Sequence, residues 1–131
     1  GIVDIYMPDL KFGDNERAKK YTKAAFYFDL ATAAVREMQR QVGCLKLDER
    51  QIAYRGLLIR HLVLPNNLAA TDRVLRFIAE ELPKETAVNI MAQYYPAHQA
   101  YNFPELAVRI TGKEYYDAVR HAKELGLTNL L

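Results

Sequence analysis

The run Leu57-Leu-Ile-Arg-His-Leu-Val-Leu64 constrains the fold of this chain most. It is apolar almost throughout, interrupted only by Arg60 and His61, and Pro65-Asn-Asn67 ends it. Such a run predicts a strand buried on both faces. Sheets covered on both sides are built from parallel strands with helical crossovers between them. The flanking sequence supplies both kinds of element.

Upstream, Ile2-Val-Asp-Ile-Tyr-Met7 is apolar, too short for a helix and stopped by Pro8, so it predicts a first strand. Phe12-Gly-Asp-Asn15 reads as a turn, with Asp14 capping a short polar helix over 15–21. Tyr27, Ala31, Ala34, Val35, Met38 and Val42 recur at helical spacing, which predicts an amphipathic helix over 25–42 ending at Gly43. Two short apolar pieces around Asp48-Glu-Arg50 fit a small hairpin insertion. After the central strand, Thr71 or Asp72 is expected to cap a helix whose inner stripe is Val74, Phe77, Ile78 and Leu82, stopped by Pro83. Residues 86–92 predict a third strand. Residues 93–110 form a long loop carrying Tyr94, Tyr95, Tyr101 and Phe103, with Pro104 opening one helical turn. Thr111-Gly-Lys-Glu114 is a capping box for a last helix running to about Leu125, and 127–131 fits a final short strand. Strands alternating with helices imply a parallel α/β sheet with right-handed crossovers. Three or four such strands cannot close a barrel, so the expected architecture is a parallel half-barrel of β-α repeats, with an open three-layer sandwich as the alternative.

At 131 residues the chain is expected to form a single domain. Its net charge of +2 is small and its basic residues are dispersed, so no nucleic-acid footprint is indicated. Apolar runs are too short to span a membrane. The single cysteine, Cys44, excludes an internal disulfide and a cysteine-only metal cluster within the chain, and fits a reducing cytoplasm. The chain begins at Gly1 without methionine, which reads as a piece of a larger protein.

In α/β folds ligands sit at the carboxyl ends of the strands. Asp9 and Lys11 lie at such an end, two residues apart, on one face if the strand persists. A strand-end salt bridge explains them as well as a ligand pair does. Arg60 shares a face with Leu58 and Leu62, and a guanidinium there requires an anionic partner, from the protein or from a ligand. His61 points to the helix layer, where structural packing is the expected role. Gln93 and Tyr94 end the third strand at the same rim. His98 and His121 lack ligand-like spacing, and His121 is expected at the surface of the last helix.

The segments Val3-Asp-Ile-Tyr-Met-Pro-Asp-Leu-Lys11, Leu58-Ile-Arg-His-Leu-Val-Leu-Pro65 and Val88-Asn-Ile-Met-Ala-Gln-Tyr-Tyr-Pro96, each separated by a helix, together resemble the C-terminal half of radical S-adenosylmethionine enzymes. The branch they resemble is that related to pyruvate formate-lyase activating enzyme. The resemblance implies strands four to six of a partial TIM-type (β/α)6 barrel, with S-adenosylmethionine across the strand ends. It places Asp9 near the methionine carboxylate, with a monovalent cation held by Asp9 and the Met7 carbonyl. Lys11 and Arg60 would face the cofactor, and Gln93 or Tyr94 would border the adenosine or the substrate. The complete protein would cleave S-adenosylmethionine reductively to a 5′-deoxyadenosyl radical, which abstracts hydrogen from a glycyl-radical-type protein or a small molecule. The family's three-cysteine loop for a [4Fe–4S] cluster is absent from this sequence, and Asn66 stands where activating enzymes often have glycine. The isolated chain is therefore expected to be inactive, to hold neither cluster nor cofactor stably, and to self-associate through an exposed sheet edge. Two other readings stay open: a non-catalytic α/β module binding a nucleotide or a protein, and an aldolase-type barrel fragment using Lys11 as a Schiff-base amine.

Overall fold

A computed structural model describes residues 3–131; Gly1 and Ile2, the start of the expected first strand, lie outside the described residues. The first strand is short: β1 is Ile5–Tyr6, because Pro8 lacks an N–H and cannot extend a ladder. Helix α1 (Asn15–Thr22) is capped by Asp14, whose carboxylate accepts the Arg17 N–H at 2.7 Å. Helix α2 (Tyr27–Val42) follows and closes at Gly43. Then come β2 (Lys46–Leu47), β3 (Ala53–Leu62), α3 (Thr71–Glu81), β4 (Ala87–Met91) and α4 (Gly112–Glu124). The Thr111–Glu114 capping box at the start of α4 is formed as expected.

The sheet is mixed, which overturns the parallel half-barrel. β1 and β4 run parallel to β3, in registers Ile5↔Gly56 and Arg60↔Asn89, but β2 is antiparallel to it, Lys46 opposite Arg55. Backbone bonds show how one strand serves three neighbours. Gly56 and Arg60 donate to Asp4 and Pro8 on one edge, whereas Leu57 and Val63 donate to Gly43 and Met91 on the other. β2 and β4 thus share a single edge of β3, one after the other. The hairpin read as an insertion is part of the sheet itself. The last segment makes one parallel bridge, Val88↔Leu130, rather than a strand.

Burial also differs between the two faces of β3, so this strand is not covered on both sides. Leu57, Ile59 and His61 are buried, while Leu58, Arg60 and Leu62 are half-buried. The alternation of a half-covered strand is hidden in the sequence because both faces are apolar. One continuous core joins the covered face to the helices through Val35, Val74, Leu75, Ile78, Ala118 and Ala122. Each fully buried aliphatic side chain here contributes about 1.5–3 kcal/mol. Helices α2, α3 and α4 therefore lie on one face, and the other, carrying Arg60, stays available.

The start of α3 departs from expectation. Its cap is Ala70, left-handed at φ 50° with no side-chain bond, and neither Thr71 nor Asp72 caps it. The Thr71 hydroxyl is instead within 2.8 Å of the His61 ring.

Candidate functional site

The open face of β3 and the ends of β3 and β4 form one wall of a cavity of about 580 Å³, within the range of small-molecule sites. Arg60, Leu62 and Leu64 come from β3 and its continuation, and Met91, Gln93 and Tyr94 from β4 and the residues after it. Asp9, Lys11 and Phe12 enter from the segment following β1, Tyr21 and Thr22 from the end of α1. Gln99, Ala100, Phe103 and Leu106, from the long loop, complete the lining. Asp9, Lys11, Arg60, Gln93 and Tyr94 thus meet in one cavity although the sequence separates the outer two by most of the chain. Met7 is exposed and is not among the lining residues.

The cavity is apolar with a few placed charges. Arg60 Nε donates to Asp9 Oδ1 at 2.7 Å, so the anionic partner that Arg60 requires is supplied by the protein. This hydrogen bond holds the Asp9 carboxyl below its ordinary value, against the opposing effect of burial, with Lys11 adding a smaller attraction. Among the described residues the Lys11 ammonium has no salt-bridge partner. The site therefore offers one neutralised ion pair and one cation not committed to a protein partner. Burial pushes the Tyr94 phenol up, and its hydroxyl donates to the Leu106 carbonyl at 2.7 Å, tying the strand end to the loop.

The loop is ordered by specific contacts. Residues His98–Asn102 and Pro104–Leu106 form two tight helical turns. Tyr21 of α1 donates to Glu105 at 2.9 Å and meets the edge of the Phe103 ring at 5.0 Å between centroids. Lys20 reaches the same carboxylate at 3.1 Å, and Asn66 Nδ2 donates to the Glu105 carbonyl. Asn66 is left-handed at φ 58°, a conformation that Asn tolerates better than most residues.

Two residues read as packing elements touch the site-bearing segment directly. Tyr27, at the start of α2, accepts the Lys11 N–H at 2.7 Å and donates to the Asp9 carbonyl at 3.3 Å. His61, fully buried, places Nδ1 at 2.7 Å from the Leu10 carbonyl and Nε2 at 2.8 Å from the Thr71 hydroxyl. A carbonyl only accepts, so Nδ1 carries the hydrogen and Nε2 of the neutral ring accepts from Thr71. Burial pushes the imidazole below its ordinary value, partly offset by the Leu10 carbonyl. The sequence did place His61 on the helix side; nothing in it revealed either partner.

The remaining candidates lie elsewhere. Cys44 bridges to Leu57 in the middle of β3, is not among the cavity-lining residues, and receives a weak bond from Gln39 Nε2 at 3.7 Å. His98 is exposed in the loop and left-handed at φ 51°. His121 is not a surface residue: it is half-buried and lines a second, smaller cavity of about 250 Å³ beside Asp72, Glu114 and Asp117. Among the described residues, no three His, Cys, Asp or Glu side chains converge as a metal site, and no helix is long and apolar enough to cross a membrane.

No protein-family model matches the chain, and no solved structure matches it. An uncharacterized protein of Methanocaldococcus jannaschii is 33% identical over 128 residues. The match covers 97% of this chain but 33% of that protein, so the chain spans about a third of its relative's length.

Proposed function

We propose that this chain supplies the ligand-binding strand ends of a radical S-adenosylmethionine protein related to pyruvate formate-lyase activating enzyme. The observation that carries the proposal is convergence: Asp9, Lys11, Arg60, Gln93 and Tyr94 line one cavity. The donor set suits a zwitterionic ligand with an aromatic base. The Lys11 ammonium matches a carboxylate, the Asp9 oxygen not bonded to Arg60 can accept from a ligand amine, and Tyr94 and Phe103 offer ring surface for adenine. The cavity is large enough for a nucleoside-sized molecule, and Leu62, Leu64 and Met91 give it an apolar wall.

The iron–sulfur cluster does not fit this chain. Cys44 is its one thiol and is not among the residues lining the cavity, so no step is assigned to a cluster here. When bound, S-adenosylmethionine would supply the radical chemistry of the complete protein; this chain's residues bind and orient it. Hydrogen abstraction from a protein or small-molecule target belongs to the same proposal.

Isothermal titration with S-adenosylmethionine and S-adenosylhomocysteine tests the reading. The expected result is saturable binding of both, weakened about tenfold or more by Lys11→Ala and by Arg60→Ala. Absence of binding at millimolar ligand, with a folded chain, overturns it. A second reading, a nucleotide-binding module without catalysis, draws on the uncommitted Lys11 ammonium. It is favoured if ATP or ADP binds more tightly than either sulfur nucleoside.

A further inference from the structure

We propose that Tyr27 and His61 form a positioning clamp that fixes the backbone of Asp9, Leu10 and Lys11, and so sets where the Asp9 and Lys11 charges stand in the cavity. The proposal rests on the reading of that cavity as a ligand site. β1 itself covers only Ile5–Tyr6, and Pro8 contributes no N–H, so regular pairing ends before the functional residues. Beyond it, β3 holds the chain by two bonds: Arg60 N–H to the Pro8 carbonyl and Leu10 N–H to the Arg60 carbonyl, both 2.9 Å.

Peptide groups of even-numbered residues therefore face β3, and those of Asp9 and Lys11 face the outer side. No strand stands there among the described residues. The Tyr27 hydroxyl takes that place, accepting from Lys11 N–H and donating to the Asp9 carbonyl. One hydroxyl thus performs both halves of a missing ladder rung. The Leu10 carbonyl is the group that a continued parallel ladder would offer to Leu62 N–H. His61 Nδ1–H claims it instead, and Thr71 braces the other ring nitrogen from the first turn of α3. Leu10 is itself fully buried, so its peptide cannot shift without unpacking the core. Each peptide group from the Asp9 carbonyl to the Lys11 N–H is bonded, and the two side-chain anchors come from different elements. Free movement of this segment would carry Asp9 away from Arg60 and Lys11 away from the cavity.

Asparagine and glutamine separate the two functions of His61, because Asn Nδ2 falls near imidazole Nδ1 and Gln Nε2 near Nε2. The test compares Tyr27→Phe, His61→Asn and His61→Gln by titration with S-adenosylmethionine, amide hydrogen exchange at Leu10 and Lys11, and thermal unfolding. The expected result is affinity about tenfold weaker in Tyr27→Phe and His61→Gln, with His61→Asn within about threefold of the parent. Exchange at Leu10 and Lys11 should accelerate in the first two and not in the third. Affinity losses that merely follow each variant's Tm, or parental binding by Tyr27→Phe, overturn the clamp. If the parent chain binds no S-adenosylmethionine, the cavity reading fails by itself. Selective exchange at Leu10 and Lys11 then still sustains the clamp, and uniform exchange across the three variants rejects it.

Discussion

Gly56→Ala should unfold the domain more effectively than other single-methyl additions, for reasons the structure makes quantitative. Gly56 is the point where β1 and the crossing before β2 both meet β3: its N–H donates to the Asp4 carbonyl at 2.8 Å, and it pairs with Ile5. Its φ of +121° lies in a region essentially closed to L side chains, a strain of about 1–3 kcal/mol. A Cβ would stand 2.4 Å from the Cys44 carbonyl oxygen and 2.5 Å from Leu45 Cα. These are backbone atoms and cannot rotate away. Relief requires the 43–45 crossing to lift from β3, which endangers the Leu57 N–H bond to the Gly43 carbonyl, and such overpacking costs about 1–3 kcal/mol more. The combined loss, about 2–6 kcal/mol, is a large part of a whole domain's stability of about 5–15 kcal/mol. Gly43→Ala is the internal control. At φ +73° and ψ −166° it too has a backbone essentially closed to L side chains, but no atom lies within 4 Å of the added Cβ, so it bears the strain of about 1–3 kcal/mol without the overpacking. Urea unfolding followed by circular dichroism, with the m-value checked for constancy, reads both. A Gly56→Ala loss no larger than that of Gly43→Ala would refute the steric argument.

Four further expectations concern the site. Thr71→Val keeps the shape but leaves His61 Nε2 buried without a donor, and should cost about 1–3 kcal/mol by urea unfolding; a loss near zero contradicts the assigned tautomer. Because burial depresses the His61 pKa below its ordinary 6.5, the unfolded chain takes up the proton first as pH falls. Stability from this residue is thus full above about pH 6.5 and declines below it, and His61→Asn should flatten the urea midpoint between about pH 7 and pH 5. The Asp9 carboxyl, held below its ordinary 3.8 chiefly by Arg60, contributes above about pH 4 and loses its effect as pH falls through the folded value, a dependence that Asp9→Asn should remove. Finally, Glu105→Ala should speed amide exchange across the loop near Phe103 and Leu106 while leaving α3 protected, since Glu105 ties that loop to Tyr21 and Lys20; unchanged loop exchange would show that aromatic packing alone holds it.

Local signals proved the most legible. The Asp14 cap, the Thr111–Glu114 box and the Val74, Phe77, Ile78 stripe depend on contacts within one or two turns, and they form where the spacing places them. Arg60 stood out because a guanidinium among leucines needs a partner, and Asp9 is that partner. The Thr71 cap failed for an instructive reason. Its hydroxyl had a nearer claimant in His61, a residue ten positions earlier whose approach depends on strand-to-helix packing.

What the sequence by itself determined is most of the elements, their order and the polar residues gathered at the strand ends. Periodicity, caps and breakers are encoded within a few residues and need no distant partner. Only the tertiary structure decided that the sheet is mixed, that α2, α3 and α4 cover one face, and that Tyr27 and His61 grip the segment carrying Asp9 and Lys11. Strand direction and long-range hydrogen bonds join residues tens of positions apart. A Leu-rich strand reads the same whether one of its faces meets helices or a cavity, and that difference is what leaves this site open.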